Sequence, residues 1–285
     1  MTSVASPVAS KEENTPGRKG DDAEFVILYH GQGGIFKGRA EFPRVMLEDA
    51  NADYSYGADA NFYGPTGMFC AFRGSAAAVQ SLDNTPYPVF FPPALSHTPG
   101  NNGGDTVYIN QVQAIVVYLG EVLGYAPSSP SERARADHIS LNAQDYISAG
   151  RLSFHPVKST MSYNDQKEEG DKVSAEWIQA RGSVFLMFLE KLVGQNPNPT
   201  DPVAGGANLT YADFVLYHVI DATVFQFNNE KYGMFWDHCQ VPALKAFYAN
   251  MCARPRIAAY RTSDRYVPFS GNSMMWWVVI QDTDT

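Results

Sequence analysis

Short apolar runs, glycine-rich loops and helical periodicities alternate through the first quarter of the chain. Residues 25–29 (FVILY) form a β-branched and apolar run that is typical of a strand, and the glycine-rich stretch GQGGIFKG follows it. In the next segment, RAEFPRVMLEDANADY, Phe42, Val45 and Met46 give a partial apolar stripe that predicts a helix, in which Pro43 is tolerated only in the first turn. The predicted order is strand, loop, helix.

A hairpin and a second helix are predicted further along. Residues 89–91 (VFF) and 107–109 (VYI) are strand-like runs separated by a diproline and by the turn sequence HTPGNNGGDT, which favours an antiparallel pair. The following stretch, NQVQAIVVYLGEVLGYAP, is apolar at every third or fourth position and predicts a helix. Asn110 and Gln113 have the spacing of a capping box at its start.

The second half of the chain lacks convincing alternating strands and carries helical periodicity near 131–151, 173–194, 210–228 and 241–261. Within LTYADF, Thr210 and Asp213 have the spacing of a capping box, and Leu209 can pack on Phe214 as a hydrophobic staple. We therefore predict a mixed α/β domain followed by an all-helical one. The predicted boundaries are a flexible tail over 1–22, the α/β domain over 23–126 and the helical domain over 132–285.

Length, composition and charge narrow the class of protein. A chain of 285 residues corresponds to roughly two domains of about 150 residues, and 45% hydrophobic and 13% aromatic residues favour folded cores. The formal net charge of −9 argues against nucleic acid as the main partner, because phosphate-binding surfaces carry a basic excess.

The spacing of the cysteines and the composition of the two ends of the chain indicate in which cellular compartment the protein is expected. Three widely spaced cysteines offer neither a CxxC motif nor a zinc-ligand spacing, so a reducing, cytoplasmic location without a metal is expected. The apolar run 274–280 is far shorter than the roughly 20 residues of a membrane span. The first twenty residues lack the apolar segment of a secretory signal. We expect no membrane association.

Four strings, together with this order of elements, carry a family resemblance. They are residues 37–54 (KGRAEFPRVMLEDANADY), 111–119 (QVQAIVVYL), 209–214 (LTYADF) and 242–269 (PALKAFYANMCARPRIAAYRTSDRYVPF). They resemble, in order, segments of the cytosolic glutathione transferases, especially the Sigma, Mu and Alpha classes. The resemblance implies an N-terminal thioredoxin-like α/β domain and an all-α C-terminal domain. It departs from those classes in a longer loop after Tyr29 and in Val112, which stands where the family has serine.

The resemblance implies a catalytic pair. Glutathione reacts as its thiolate, and a free thiol with a pKa near 8.5 is mostly protonated at pH 7 unless a donor lowers that pKa. The family's donor maps onto Tyr29 and its supporting arginine onto Arg39. From the residues alone, the favoured interpretation is that Tyr29 is a core tyrosine and Arg39 a solvated cation, and only the resemblance favours the catalytic roles. The longer loop also leaves His30 or a glycine amide as alternative donors.

The resemblance also implies how glutathione is bound through its cysteinyl unit. It places a cis peptide bond at Pro93 and gives Pro92 the backbone contacts to the cysteinyl part of the tripeptide. Cis bonds are a minority of X-Pro bonds, so the diproline alone does not predict one. Since proline has no N–H, Pro92 can offer only its carbonyl.

The γ-glutamyl end is expected at the helix that starts near Gln111. By resemblance, Gln111 and the N–H of Val112 bind its carboxylate, with Gln113 as a substitute for the missing serine, and helix N-termini favour anions. Asp145 maps onto an aspartate that reaches the γ-glutamyl ammonium across a homodimer interface. The alternatives are that Gln113 only caps the helix and that Asp145 is a solvated helical residue.

A second, apolar substrate is expected between the domains. Phe154 and His155 lie near the position of a Mu-class substrate-side tyrosine, and Trp276 belongs to a Met/Trp cluster that is a candidate C-terminal lid. Clusters of this kind also occur in ordinary core packing, and a histidine before proline often makes only local hydrogen bonds.

Three functions fit these expectations. The first is a homodimeric glutathione transferase, with glutathione as co-substrate, that attacks an electrophilic carbon of a small apolar molecule. The second uses glutathione as a catalytic thiol in a cis/trans isomerase of an activated olefin, since members resembling this chain occur in fungal natural-product pathways of secondary metabolism. The third is a non-catalytic ligand-binding protein. No Walker, GxSxG, HExxH or EF-hand motif offers a competing chemistry.

Overall fold

The structure is a computed structural model that describes residues 24–29, 37–57, 89, 92–101, 105–159, 161–198, 200–266 and 269. The predicted flexible tail over 1–22 lies outside these residues. The described strands are β1 (Phe25–Leu28), β2 (Tyr54–Tyr56), β3 (Ala94–His97) and β4 (Val107–Asn110). The first helices are α1 (Glu41–Ala50) and α2 (Val112–Leu123).

The strands form one mixed sheet in the order β2-β1-β3-β4. β2 runs parallel to β1, and α1 provides the crossover between them. β3 is antiparallel to both β1 and β4. Strand β2 was not predicted, because three residues (YSY) are too few to show a period.

The hairpin forms as predicted, but its first strand lies after the diproline rather than before it. Ala94 pairs with Asn110 and His97 with Val107. Val89 is buried without strand structure, and Phe90 and Phe91 lie outside the described residues. The physical reason is that proline has no N–H for a strand ladder, so pairing starts at the first residues that can donate.

The remaining helices build the second half of the chain. Their bounds are α3 (Pro130–Ser153), α4 (Lys167–Trp177), α5 (Ser183–Val193), α6 (Tyr211–Phe227), α7 (Phe235–His238), α8 (Pro242–Ala253) and α9 (Pro255–Arg261), with a π-helical turn at Ile178–Gly182 that joins α4 to α5. Helix α6 is buried on nearly every side and forms the centre of this half. None of the helices in the described residues is both long and apolar enough to cross a membrane.

The capping box predicted at the start of α6 is present. The Asp213 carboxylate accepts hydrogen bonds from the backbone N–H of Thr210 at 2.7 Å and of Val203 at 2.9 Å. Asp213 is fully buried, and burial raises its pKa to about 6. One carboxylate therefore ties the loop before the helix to the first turn of the most buried helix.

The capping box predicted at Asn110 and Gln113 is wrong. Asn110 is the last residue of β4, and Gln111 is the N-cap of α2 without a side-chain cap. The Gln113 side chain instead donates to Asp137 at 2.8 Å and accepts from Ser140 at 2.5 Å, both on α3. Contact with the helical domain has overridden the local capping pattern.

Replacing Asp213 with alanine is expected to lower the free energy of unfolding by about 2–4 kcal/mol, because buried N–H donors lose their acceptor. The measurement is urea denaturation. The matched control is Glu132→Ala, which removes the acceptor of the Ser128 N–H at 2.9 Å near the start of α3, where the contact is exposed. Equal losses in the two variants would contradict the argument from burial.

Candidate functional site

A cavity of about 400 Å³ lies where the first strand of the hairpin, the N-terminus of α2 and the C-terminal half of α3 meet. Five of its lining residues were named from the sequence, and Ser148 and Arg151 are additions. The lining residues are Arg39, Pro92, Pro93, Gln111, Val112, Ser148 and Arg151. The volume lies within the range of small-ligand pockets.

Backbone geometry distinguishes the wall formed by Pro92, Pro93 and Gln111. The Pro92-Pro93 peptide bond is cis, as the sequence resemblance implied. Gln111 has φ 73° and ψ 121°, a region that glycine adopts easily and that is strained for a side-chain-bearing residue. Val112 is the first residue of α2, so the cavity borders the positive end of a helix whose first N–H groups have no intrahelical acceptor.

Tyr29 is not among the described residues that line the cavity and is connected to it through Arg39. The backbone N–H of Arg39 donates to the Tyr29 hydroxyl at 3.2 Å, and the Arg39 guanidinium donates to Ser148 Oγ at 2.8 Å. Tyr29 is 8% exposed, and burial raises its pKa although the Arg39 N–H opposes that shift. The phenol is therefore protonated at neutral pH, and its oxygen accepts a hydrogen bond from the Arg39 N–H.

Ser148 and Arg151 were not anticipated from the sequence. The spacing carried a signal: Asp145, Ser148 and Arg151 follow one another at intervals of three and so share one side of α3. Arg151 Nη2 donates to the carbonyl of Ser159 at 3.0 Å. Burial and the nearby charge of Arg39 lower the pKa of Arg151. Two guanidinium groups therefore contribute to one cavity.

Two residues predicted to bind the γ-glutamyl group lie elsewhere. Gln113 is held by its bonds to α3 and is not part of the cavity wall in the described residues, and its expected role as a substitute for the missing serine stays a prediction. Asp145 is exposed on α3, one turn before Ser148, and does not line the cavity within this chain. Its suggested role across a dimer interface stays a prediction.

The residues predicted to contact the apolar substrate do not line the cavity in the described part of the chain. Phe154 is 1% exposed, and its ring centroid lies 5.9 Å from that of Phe227. His155 is buried, its Nδ1 pairs with the carbonyl of Met161 at 2.9 Å, and burial lowers its pKa. Both side chains are buried in the helical half, and their expected role beside the apolar substrate stays a prediction. Trp276 and His30 lie outside the described residues.

Helix α1 is held by polar contacts from the C-terminal helices. Arg254 donates two hydrogen bonds to the Asp49 carboxylate, at 3.0 and 2.7 Å. Arg265 forms the same kind of bidentate contact with Glu48, at 2.9 and 3.1 Å. The Tyr260 hydroxyl donates to Glu41 at 3.0 Å. These contacts fix the helix that immediately follows Arg39.

The chain just before α1 is held in the same way by α6. Lys37 Nζ lies 3.0 Å from Asp221 Oδ2, and both side chains are buried. His218 Nε2 lies 3.1 Å from the carbonyl of Gly38, and burial lowers the pKa of His218 to about 4. A neutral imidazole with its proton on Nε2 fits this contact. Arg39 is therefore positioned from both sides.

The chain is similar to known proteins in both sequence and fold. Residues 153–264 match the family described as glutathione S-transferase, C-terminal domain. The class-mu 26 kDa isozyme 1 glutathione S-transferase of Fasciola hepatica is 27% identical over 171 residues, which cover 59% of this chain and 65% of that protein. The match thus spans slightly less than two thirds of the relative's length.

Two solved structures share the fold. The sigma-class glutathione S-transferase of Fasciola hepatica aligns with a TM-score of 0.58 at 16% identity, covering 86% of this chain and 100% of that one. The Pi-class enzyme of Onchocerca volvulus aligns with a TM-score of 0.54 at 19% identity, covering 83% and 91%. These similarities confirm the predicted fold class, a thioredoxin-like α/β domain followed by an all-α domain.

Replacing Gln111 with glycine is expected to raise the free energy of unfolding by about 1 kcal/mol relative to Gln111→Ala. Both variants remove the side chain, but only glycine adopts the positive φ without strain. Thermal or urea denaturation measures the difference. Equal stability of the two variants would mean that the backbone at this position carries no strain.

Replacing His218 with glutamine is expected to reduce the loss of folding stability that occurs as the pH falls from 7 to 4. The folded-state pKa of about 4 lies below the unfolded value of about 6.5, so the wild type loses stability as pH falls through this window, up to about 3 kcal/mol. Glutamine keeps an N–H donor but does not titrate. Urea titrations from pH 7 to pH 4 measure the effect, with exposed His138→Gln as the control. An unchanged slope would show that His218 titrates normally.

Proposed function

We propose that the chain, as a member of the cytosolic glutathione S-transferase superfamily, binds glutathione in the cavity beside Arg39 and adds the thiol to an electrophilic carbon. The observation that carries this proposal is the convergence of three features on one cavity. They are the Tyr29–Arg39 hydrogen bond, the cis Pro92-Pro93 bond and the N-terminus of α2.

The charge and size of the cavity suit an anionic tripeptide. Glutathione carries two carboxylates, which favour positive potential, and the cavity offers a helix N-terminus at Val112 and the guanidinium groups of Arg39 and Arg151. Exposed Gln111 adds amide donors and acceptors at the same end. Val112 keeps its backbone N–H although it lacks the hydroxyl that a serine would provide.

Tyr29 supplies the proposed activation of the thiol. Because its pKa is raised by burial, Tyr29 stays protonated and acts as a hydrogen-bond donor rather than as a base. The Arg39 N–H donates to the phenol oxygen and orients the hydroxyl, which in the proposed reaction donates its proton in a hydrogen bond to sulfur. A donor to the thiolate lowers the thiol pKa and raises the reactive fraction at neutral pH.

Two other functions use the same site. Reversible addition of the thiol to an activated olefin, rotation about the resulting single bond and release of the thiol would give a cis/trans isomerase. A non-catalytic binder is favoured by one observation, the valine at the position of the family's serine. Consumption of glutathione separates the first two, since a transferase uses one thiol per product and an isomerase regenerates it. A role in secondary metabolism stays a prediction of the resemblance.

We expect a homodimer and a cytoplasmic location. Asp145 and Leu141 are exposed on α3, and the apolar Leu141 side chain is 48% exposed, which suits a face covered by a second subunit. The small second substrate is proposed to enter beside Arg39, where the thiol is activated.

Replacing Tyr29 with phenylalanine is expected to restore the bound thiol to its ordinary pKa and to lower kcat/KM on the order of 100-fold, with little change in glutathione affinity. The ultraviolet absorbance of the thiolate, followed against pH, reports the pKa, and calorimetric titration reports the affinity. Tyr108→Phe, a half-buried tyrosine on β4, is the matched control.

The outcomes separate the proposals. An unchanged thiol pKa in Tyr29→Phe, with glutathione bound, would remove Tyr29 from the mechanism and direct the search to the loop that follows it. No binding of glutathione to the wild type at millimolar concentration would favour the non-catalytic function.

A further inference from the structure

Among the described residues where the two halves of the chain meet, one buried cation has no carboxylate of its own. Four buried carboxylates of α1 and α6 form ion pairs with arginines, one arginine for each carboxylate. The pairs are Glu41 with Arg44, Glu48 with Arg265, Asp49 with Arg254, and Asp221 with Arg261. Lys37 lies beside the first and the last of these pairs, and only 1% of its side chain is exposed. Its charge is therefore additional to the set that neutralises the acidic groups.

Lys37 is bound by several groups at once. Its Nζ lies 3.0 Å from Asp221 Oδ2 and 3.7 Å from Glu41 Oε1. The rings of Tyr266 and Phe269 cover the same nitrogen, with their centroids at 3.9 and 4.5 Å, and aromatic faces attract an ammonium. Burial opposes the charge of Lys37, but Glu41 and Asp221 outweigh that effect and raise its pKa. The ammonium is therefore charged and fixed in place.

The two carboxylates beside Lys37 do not depend on it for their hydrogen bonds. Besides their arginines, Asp221 accepts from the Tyr248 hydroxyl at 2.7 Å and Glu41 from the Tyr260 hydroxyl at 3.0 Å. Removing the ammonium would leave neither carboxylate unpaired. Because taking an ammonium out of water is costly, a lysine buried in such surroundings indicates a role other than neutralising charge. What Lys37 does provide is an attachment of its own backbone to α6.

The position of Lys37 in the chain connects that attachment to the candidate site. Lys37 lies two residues before Arg39, whose N–H donates to the Tyr29 hydroxyl at 3.2 Å. Two residues span at most about 7 Å, so fixing residue 37 restricts where the N–H of residue 39 can lie. A distance of 3.2 Å is at the long end of the range for this kind of hydrogen bond. A small displacement of the backbone would therefore break it.

We propose that Lys37 is a positioning residue for thiol activation, because its ammonium, bound to Asp221 beneath Tyr266 and Phe269, holds the Arg39 N–H within hydrogen-bonding distance of Tyr29. The inference rests on the proposed function, in which the Tyr29 hydroxyl donates to the sulfur of glutathione. Lys37 is not among the described residues that line the cavity. It acts through the backbone and not by contact with a substrate.

The first test is Lys37→Met, which removes the ammonium and keeps an unbranched apolar side chain. The thiol pKa of bound glutathione, followed by the ultraviolet absorbance of the thiolate, is expected to move about halfway towards the free value of about 8.5. The shift is incomplete because the contact of His218 with the Gly38 carbonyl still holds the segment. We expect kcat to fall roughly tenfold while the KM for glutathione stays unchanged.

Asp221→Asn perturbs the same contact from the other side. The asparagine keeps an oxygen that can accept from Tyr248 and Arg261, but it lacks the charge that attracts Lys37. The thiol pKa should shift in the same direction as in Lys37→Met, and the double variant should match Lys37→Met alone, since both substitutions remove one contact. Shifts that add in the double variant would show that the two residues act separately, and would overturn the inference.

The control variant is Lys245→Met, which removes another partly buried lysine, one whose Nζ donates to the carbonyls of Asp237 at 3.0 Å and Cys239 at 2.9 Å. It should lower the free energy of unfolding without changing the thiol pKa. An equal change of thiol pKa in Lys245→Met and Lys37→Met would assign the effect to general stability and overturn the inference. A wild-type thiol pKa in Lys37→Met, when Tyr29→Phe does shift it, would also overturn it.

Hydrogen exchange provides a readout that needs no glutathione. The Arg39 amide should exchange faster in Lys37→Met than in the wild type or Lys245→Met, because a broken hydrogen bond opens the N–H to solvent. Unchanged protection of that amide overturns the inference whether or not glutathione binds. Absence of a lowered thiol pKa in the wild type itself instead overturns the proposed function, and with it the role of Lys37 in thiol activation.

Discussion

The junction between the two halves of the chain depends on one constraint, the burial of an acidic helix. Glu41, Glu48 and Asp49 on α1 are all buried, and an unpaired buried carboxylate would be costly. Tyr260, Arg265 and Arg254 provide the compensating hydrogen bonds from the last helix and the segments beside it. Donors from the α/β half contribute as well, so the helical half adds to the hydrogen bonds around α1 and the two halves pack against each other across it.

The candidate site follows from that junction. Arg39 lies directly before α1, and the contacts of Lys37 with Asp221 and of Gly38 with His218 fix the backbone that carries it. The position of this backbone places the Arg39 N–H where it donates to the Tyr29 hydroxyl. The Arg39 side chain donates to Ser148 on α3. On the proposed function, thiol activation depends on the assembled domains, so substitutions in the acidic helix, distant from the cavity, would alter it by moving Arg39.

Local patterns and family motifs predicted different parts of this arrangement. The strand at 25–28, the apolar stripe of α1 and the Thr210–Asp213 box were readable because their signals are contained within a few residues. The strand at 89–91 and the role of Gln113 were misjudged, because the diproline shifts pairing past itself and α3 captures the glutamine amide. Arg151 was missed, since only tertiary packing shows which side of α3 faces the cavity.

On the proposed function, the guanidinium groups that line the cavity bear on both the activation of the thiol and its addition to the substrate. A cavity that stabilises a thiolate also stabilises the anion formed when that thiolate adds to a conjugated carbonyl, because both carry one negative charge in the same partly dehydrated space. Addition is the step that conjugation and isomerisation have in common, so on the proposed function the two guanidinium groups that line the cavity, Arg39 and Arg151, would favour either reaction equally. What separates the two is the fate of the adduct: fast protonation at the α-carbon retains the thioether, whereas a long-lived enolate allows rotation and expulsion of the thiol.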